Sequence, residues 1–142
     1  MKMRFDNANP SPRSQRRYDP IFARRTVVVG PVDSALAIAA YFGDHGWDVH
    51  TAKSAKEARK LAQRLNACLA VLPVRGEPES GWLGCAKLTR SGSKAKVVLI
   101  GPPWDEEAER FALFAGAAAY LTDADGPEAI LDVVAKEESL VG

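Results

Sequence analysis

The chain has 142 residues, 46% of them hydrophobic and 26% charged, with a formal net charge of +1. This is the composition of an ordinary soluble protein, long enough for one domain that buries about two thirds of its unfolded surface. No apolar run approaches the roughly 18 residues a membrane span needs, and no apolar stretch follows the basic N-terminal residues, so neither span nor signal peptide is predicted and the expected location is cytoplasmic.

The small net charge conceals an asymmetry. Residues 1–25 carry seven Lys/Arg against two Asp, a balance of +5, and the remainder sums to −4. Residues 1–23 hold three prolines and show no apolar period, which predicts a flexible basic arm with Arg13, Arg16 and Arg17 available to phosphates or acidic protein. Residues 24–142 read as a single α/β domain.

Within that domain short apolar runs alternate with amphipathic stretches. Val27–Val29 is a β-branched run ended by Gly30-Pro31, a buried strand and a turn. Asp33 or Ser34 can cap a helix to about His45, with Leu36, Ala39, Ala40 and Phe42 expected inward and Gly46 as its stop. Trp47–Ala52 alternates as a second strand. Ser54-Ala55-Lys56-Glu57 is a capping box opening a helix to about Leu65, striped by Ala58, Leu61, Ala62 and Leu65. The continuously apolar Ala67–Leu72 predicts a third strand covered on both faces.

Residues 74–80 form a loop, and a helix follows from about Gly81 to Arg90 with Leu83, Ala86 and Leu88 as its apolar residues. Lys96–Ile100 is a fourth strand broken by Gly101-Pro102-Pro103. Asp105–Ala115 is a helix with acid at its positive N-terminal end. Its Ala108, Phe111, Ala112 and Phe114 are expected to cover the sheet, and Trp104 just before it is a candidate partner contact. Ala118–Thr122 is a fifth strand. Pro127 suits the first turn of a last helix, which carries Ile130, Leu131, Val133 and Val134 and runs to about Lys136.

Five strands alternating with five helices predict a flavodoxin-like doubly wound parallel sheet of order 2-1-3-4-5. Ligands of such sheets bind beyond the carboxyl ends of the strands, here Gly30-Pro31, Pro73, Gly101-Pro102 and Asp123. Neither G-x-G-x-x-G nor G-x-x-x-x-G-K-[ST] occurs, and Pro31 lacks the N–H a phosphate cradle uses, so no nucleotide or other cofactor is expected. Cys68 and Cys85, with no His beside them, predict reduced core thiols. His45 and His50 lie on different elements and match no catalytic triad.

Three anchors carry a family resemblance over about residues 26–135. Gly46-Trp47 resembles a Gly-aromatic pair opening a second strand, Ser80-Gly81-Trp82 an Asp-Gly-Leu entering a third helix, and Ala115–Leu121 an Ala-Gly-Ala-x-x-Tyr-Leu block before a fifth strand. Together they resemble the receiver domain of two-component response regulators. The resemblance implies a phosphoacceptor aspartate at Pro73, a magnesium-binding acidic pair at Val29-Gly30 or Gly30-Pro31, a switch Ser/Thr at Gly101 and a lysine at Asp123. None of those chemistries is present. Pro73 offers no nucleophile, the residues in place of the acidic pair offer no side-chain oxygen ligands, and Asp123 would repel a phosphoryl group.

The expectation is a degenerate receiver, or pseudo-receiver, that is not an enzyme and binds no metal. By resemblance it serves bacterial signalling, binding a protein partner or a second copy through its fourth helix, fifth strand and fifth helix. That face would present Glu106, Glu109, Arg110, Tyr120, Asp123 and Asp125. Alternatives are nucleic-acid binding led by the arginine-rich arm and small-molecule sensing in the altered pocket. The chain would be a stand-alone adaptor or part of a longer regulator.

Overall fold

The computed structural model describes residues 25–103 and 106–141, with side chains as far as Lys136. The expected arm, with Arg13, Arg16 and Arg17, and Trp104 all lie outside the described residues. The described elements alternate without exception: β1 (Thr26–Val29), α1 (Ala35–Asp44), β2 (Asp48–Thr51), α2 (Ala55–Leu65), β3 (Leu69–Pro73), α3 (Gly81–Arg90), β4 (Lys96–Ile100), α4 (Glu106–Phe114), β5 (Ala119–Leu121), a 3-10 turn (Asp123–Asp125) and α5 (Gly126–Val141). The five strands form one parallel sheet in the order β2-β1-β3-β4-β5. This is the flavodoxin-like doubly wound arrangement predicted from the sequence.

The sheet separates two cores. Val27, Val29, Leu69, Val71, Val98 and Ile100 meet Ile38 and Phe42 of α1 and Ile130 and Val134 of α5 on one face. Val28, Ala70, Leu72, Val97 and Leu99 meet Ala58 and Ala62 of α2, Cys85 and Leu88 of α3 and Ala112 of α4 on the other. Alternate residues of β1, β3 and β4 thus feed opposite cores, which explains why these three strands read as apolar runs. Ser54 and Ser80 cap α2 and α3, accepting from the Glu57 and Leu83 backbone N–H groups at 3.0 and 3.2 Å. In the capping box, the Glu57 carboxylate reaches the backbone N–H of Lys53 at 2.6 Å.

Several inward assignments on the helices are corrected. On α1 the buried residues are Ile38 and, as expected, Phe42, while Leu36 is 87% exposed and Ala40 also faces outward. Leu83 on α3 is 47% exposed. On α4 only Ala108 and Ala112 are buried, and Phe111 and Phe114 are 52% and 86% exposed rather than covering the sheet. Each helical residue turns the direction of the side chain by about 100°. Placing the small Ala108/Ala112 pair against the strands therefore swings Phe114 to the outer side.

The loop from Val74 to Ser80 is held by a buried charge cluster that sequence reading passed over. Arg59 on α2 donates from Nε and Nη2 to the two oxygens of Glu79 at 2.6 and 2.9 Å, and Lys87 Nζ donates to Glu79 Oε1 at 3.0 Å. The Arg59 hydrogen bond is the main cause holding the Glu79 carboxyl below its ordinary range, against the opposing effect of burial. Cys85 is buried and Cys68 half-buried, both as free thiols. Burial pushes the Cys85 thiol up to about 11, a hydrogen bond with Thr89 acting the other way.

Candidate functional site

The carboxyl ends of β1, β3 and β4, with the residues after β5, form the edge where this fold binds ligands. Pro73 closes β3 and pairs in register with Ile100 of β4. Beside it, Gly30 follows β1 and donates its N–H to the Val71 carbonyl at 2.8 Å. The approach is close: a Cβ on Gly30 would lie 3.1 Å from both Pro73 Cδ and Val71 O. The pyrrolidine ring thus fills the space into which a side chain at position 30 would grow.

A second contact closes the β4 end. Tyr120 of β5 turns its ring toward Gly101, and its hydroxyl donates to the Pro102 carbonyl at 2.6 Å. A Cβ on Gly101 would collide with the Tyr120 hydroxyl and crowd Val74 Cγ2. Glycine at 101 is what admits the tyrosine.

The third contact joins the two ends of the domain. Asp123 follows β5, and its Oδ1 accepts from the backbone N–H of Ser34 at 2.8 Å and from Ser34 Oγ at 2.6 Å. Ser34 is the N-cap residue of α1, and its hydroxyl makes no capping bond within that helix. The carboxylate of Asp123 therefore sits at the positive end of the α1 dipole, where a negative charge is stabilised. Asp33, weighed in the sequence as a cap, is exposed.

Comparison of the sequence finds no matching protein-family model and no matching curated protein. Comparison of the structure finds many matches. The chain superposes on the receiver domain of the Francisella response regulator 1452 with a TM-score of 0.71 and 21% identity, over 84% of this chain and 100% of that one. It superposes on the chemotaxis protein CheY4 of Vibrio cholerae with a TM-score of 0.69 and 17% identity, over 80% and 98% of the two chains. A Burkholderia pseudomallei response regulator, solved with a phosphorylated aspartic acid, a calcium ion and citrate, gives 0.67 and 19% identity over 83% and 73%. The fold is that of a response-regulator receiver domain.

A receiver fold implies a divalent cation at this edge, and the residues present do not fit one. Hard cations take oxygen ligands, whereas Gly30, Pro31 and Pro73 have no side-chain oxygen and Asp123 Oδ1 is already engaged by Ser34. Among the described residues no three His, Cys, Asp or Glu side chains gather where one ion could join them. An adjacent depression of about 360 Å³ is lined by Val74, Gly76, Trp82 and Pro102 among others, and by none of Gly30, Pro31, Pro73, Gly101 or Asp123.

The residues expected on the interaction face divide in two. Glu106, Glu109 and Arg110 are exposed along α4. Tyr120 and Asp123 are committed to Pro102 and Ser34, and Asp125 Oδ2 accepts from Thr122 N at 2.7 Å and Thr122 Oγ1 at 3.2 Å. His45 and His50 stay within their own elements, against the Tyr41 carbonyl and the Asp48 carboxylate. Sequence reading missed Ser34 as the partner of Asp123, because 89 residues separate them. It also missed Glu79, whose partner Arg59 lies on α2 beside the apolar stripe rather than in it.

Proposed function

We propose that this chain is an atypical receiver-like module that acts in bacterial signal transduction by binding protein, without phosphorylation and without catalysis. The observation that carries this reading is Pro73: an apolar ring packed on Gly30 stands where a receiver would present its acceptor carboxylate. Phosphoryl transfer needs a nucleophile and cation-assisted charge neutralisation, and Pro73 and Asp123 supply neither. With Tyr120 hydrogen-bonded over Gly101 and Asp123 bound to α1, one arrangement of the edge is favoured, and a docking face on α4, β5 and α5 is permanently presented. A receiver changes state only if a ligand distinguishes its two forms. Here the groups that would do so are spent on internal contacts.

The test is an amide-shift titration of the full chain with magnesium and acetyl phosphate. The proposal expects no saturable change at residues 29, 30, 32, 33, 74 and 101, the prolines at 31 and 73 having no amide proton to follow. A saturable change there overturns it.

A second reading, nucleic-acid binding, rests on the +5 balance of residues 1–25 with Arg13, Arg16 and Arg17. Deleting residues 1–23 would abolish that activity and leave protein binding by the domain intact.

A further inference from the structure

The largest departure from the expected packing lies on the outer side of α3 and α4. Trp82 of α3 stacks on Phe111 of α4 with ring centroids 5.0 Å apart, and Phe111 is followed by Phe114 at 6.5 Å. These rings border a groove of about 480 Å³ that runs the length of α3, from Ser80 past Leu83 and Ala86 to Arg90. Phe114 is 86% and Phe111 52% exposed. Burying a phenylalanine is worth about 1.5–3 kcal/mol, so the domain leaves its two most favourable α4 side chains largely unused. Contiguous exposed aromatics of this kind mark interaction surfaces.

The charges around the groove choose the occupant. Arg90 lines it at the C-terminal end of α3, and Arg110 and Glu107 lie on the α4 side beside Phe111. Among the described residues neither arginine has a carboxylate partner. A two-fold contact between copies would gather four arginines, Arg90 and Arg110 of each copy, against only two copies of Glu107 in one patch. The acidic first turn of α4, with Glu106, Glu107 and Glu109, disfavours nucleic acid. A small molecule would leave Phe114 in water, because such ligands seat in concave sites that cover most of their surface. An amphipathic helix fits: its apolar stripe recurs at i, i+3/i+4 and i+7, and α3 offers ten residues, about 15 Å, of groove to receive it.

We propose that the α3–α4 groove is the docking site for an amphipathic helix of a partner protein, its apolar stripe on Trp82, Phe111 and Phe114 and its carboxylates against Arg90 and Arg110. The proposal rests on the protein-binding reading above, but it places the contact on the α3 side of α4, away from β5 and α5. Trp and Arg are the residue types that most often dominate such interfaces.

The probe is a phage-displayed library of helical peptides with randomised surface positions, selected on the full chain. Selected peptides are then titrated against it and followed by amide shifts. The expected winners carry an apolar i, i+3/i+4, i+7 stripe flanked by Asp or Glu, and they shift Trp82, Phe111 and Phe114. Phe114→Ser and Arg90→Glu should each weaken them roughly tenfold or more. Leu36→Ser, on the far face of the sheet, should leave binding unchanged. These are exposed positions, and unchanged far-UV circular dichroism verifies that each variant folds.

No enrichment, winners without carboxylates, or binding indifferent to Phe114 overturns the proposal. So does a dimer in sedimentation that Phe114→Ser dissociates. Peptides that shift β5 and α5 and leave Trp82 and the rest of α3 unmoved defeat the groove and leave the proposed function standing. Phosphoryl uptake defeats the proposed function and leaves the groove standing.

Discussion

Asp123 Oδ1 holds Ser34 by both its backbone N–H and its hydroxyl, at 2.8 and 2.6 Å, tying the turn that follows β5 to the start of α1. A receiver carries a lysine at the position of Asp123 by resemblance, and the exchange reverses the sign of the charge facing the helix. Asp123→Lys, although it restores the familiar residue, is expected to destabilise the domain by about 1–2 kcal/mol, because it loses two charge-assisted hydrogen bonds and sets a cation at a helix N-terminus. Asp123→Asn keeps an acceptor and should cost less. Urea unfolding of the two variants measures the difference, and equal stability of Asp123→Lys and the parent chain would contradict this account of the contact.

The Tyr120–Gly101 contact predicts a quiet edge. Relaxation-dispersion NMR should be flat on the millisecond scale at residues 101–103 and 118–123. Tyr120→Phe removes the hydrogen bond to Pro102 and should cost about 1 kcal/mol. Gly101→Thr installs a hydroxyl but must expel the Tyr120 ring, so it should introduce exchange in the same residues. Concerted exchange through Tyr120 in the unaltered chain would contradict a single favoured arrangement.

Glu79 gives stability a pH dependence with a definite sign. Its folded-state pKa is lowered, so the ionised form favours the fold. That contribution is present above the ordinary glutamate value of about 4.3 and is lost as pH falls from there through the folded value. Glu79→Gln leaves Arg59 buried without its counter-charge and should cost about 3 kcal/mol at neutral pH. The variant should also show a shallower loss of stability below about pH 5 than the parent. Chemical unfolding across that range measures both effects.

Much of the architecture was legible because its causes are local. The Val27–Val29 run, the caps at Ser54 and Ser80, and the apolar strand from Ala67 each declare their element within a few residues. The spacing from Gly81 back to Pro73 located the edge by resemblance, and in the structure the Gly81 N–H donates to the carbonyl of Val74, next to Pro73. What was illegible depends on distance or on competition between faces. Nothing near Asp123 names Ser34, and nothing in the polar loop at 74–80 announces that Glu79 turns inward to Arg59. On α4 the apolar residues outnumber the inward positions. Only the close seating of Ala108 and Ala112 decides that Phe111 and Phe114 are left outside.

Cys85 offers an independent check on the core beneath α3. With its thiol raised to about 11, mainly by burial, it should be almost entirely protonated at neutral pH. Under native conditions iodoacetamide should modify the half-buried Cys68 before Cys85, as peptide mapping by mass spectrometry would show. Preferential modification of Cys85 would mean that α3 opens from the sheet.

The central claim is that the edge at Pro73 cannot take a phosphoryl group. Intact mass of the full chain after incubation with magnesium and acetyl phosphate tests it most directly, and Pro73→Asp provides the harder case. The account predicts no added mass on the parent chain. It predicts none on Pro73→Asp either, because Gly30 and Pro31 still offer no cation ligands and Asp123 still opposes a phosphate. A hydroxylamine-labile adduct of one phosphoryl group on the parent chain would contradict the account.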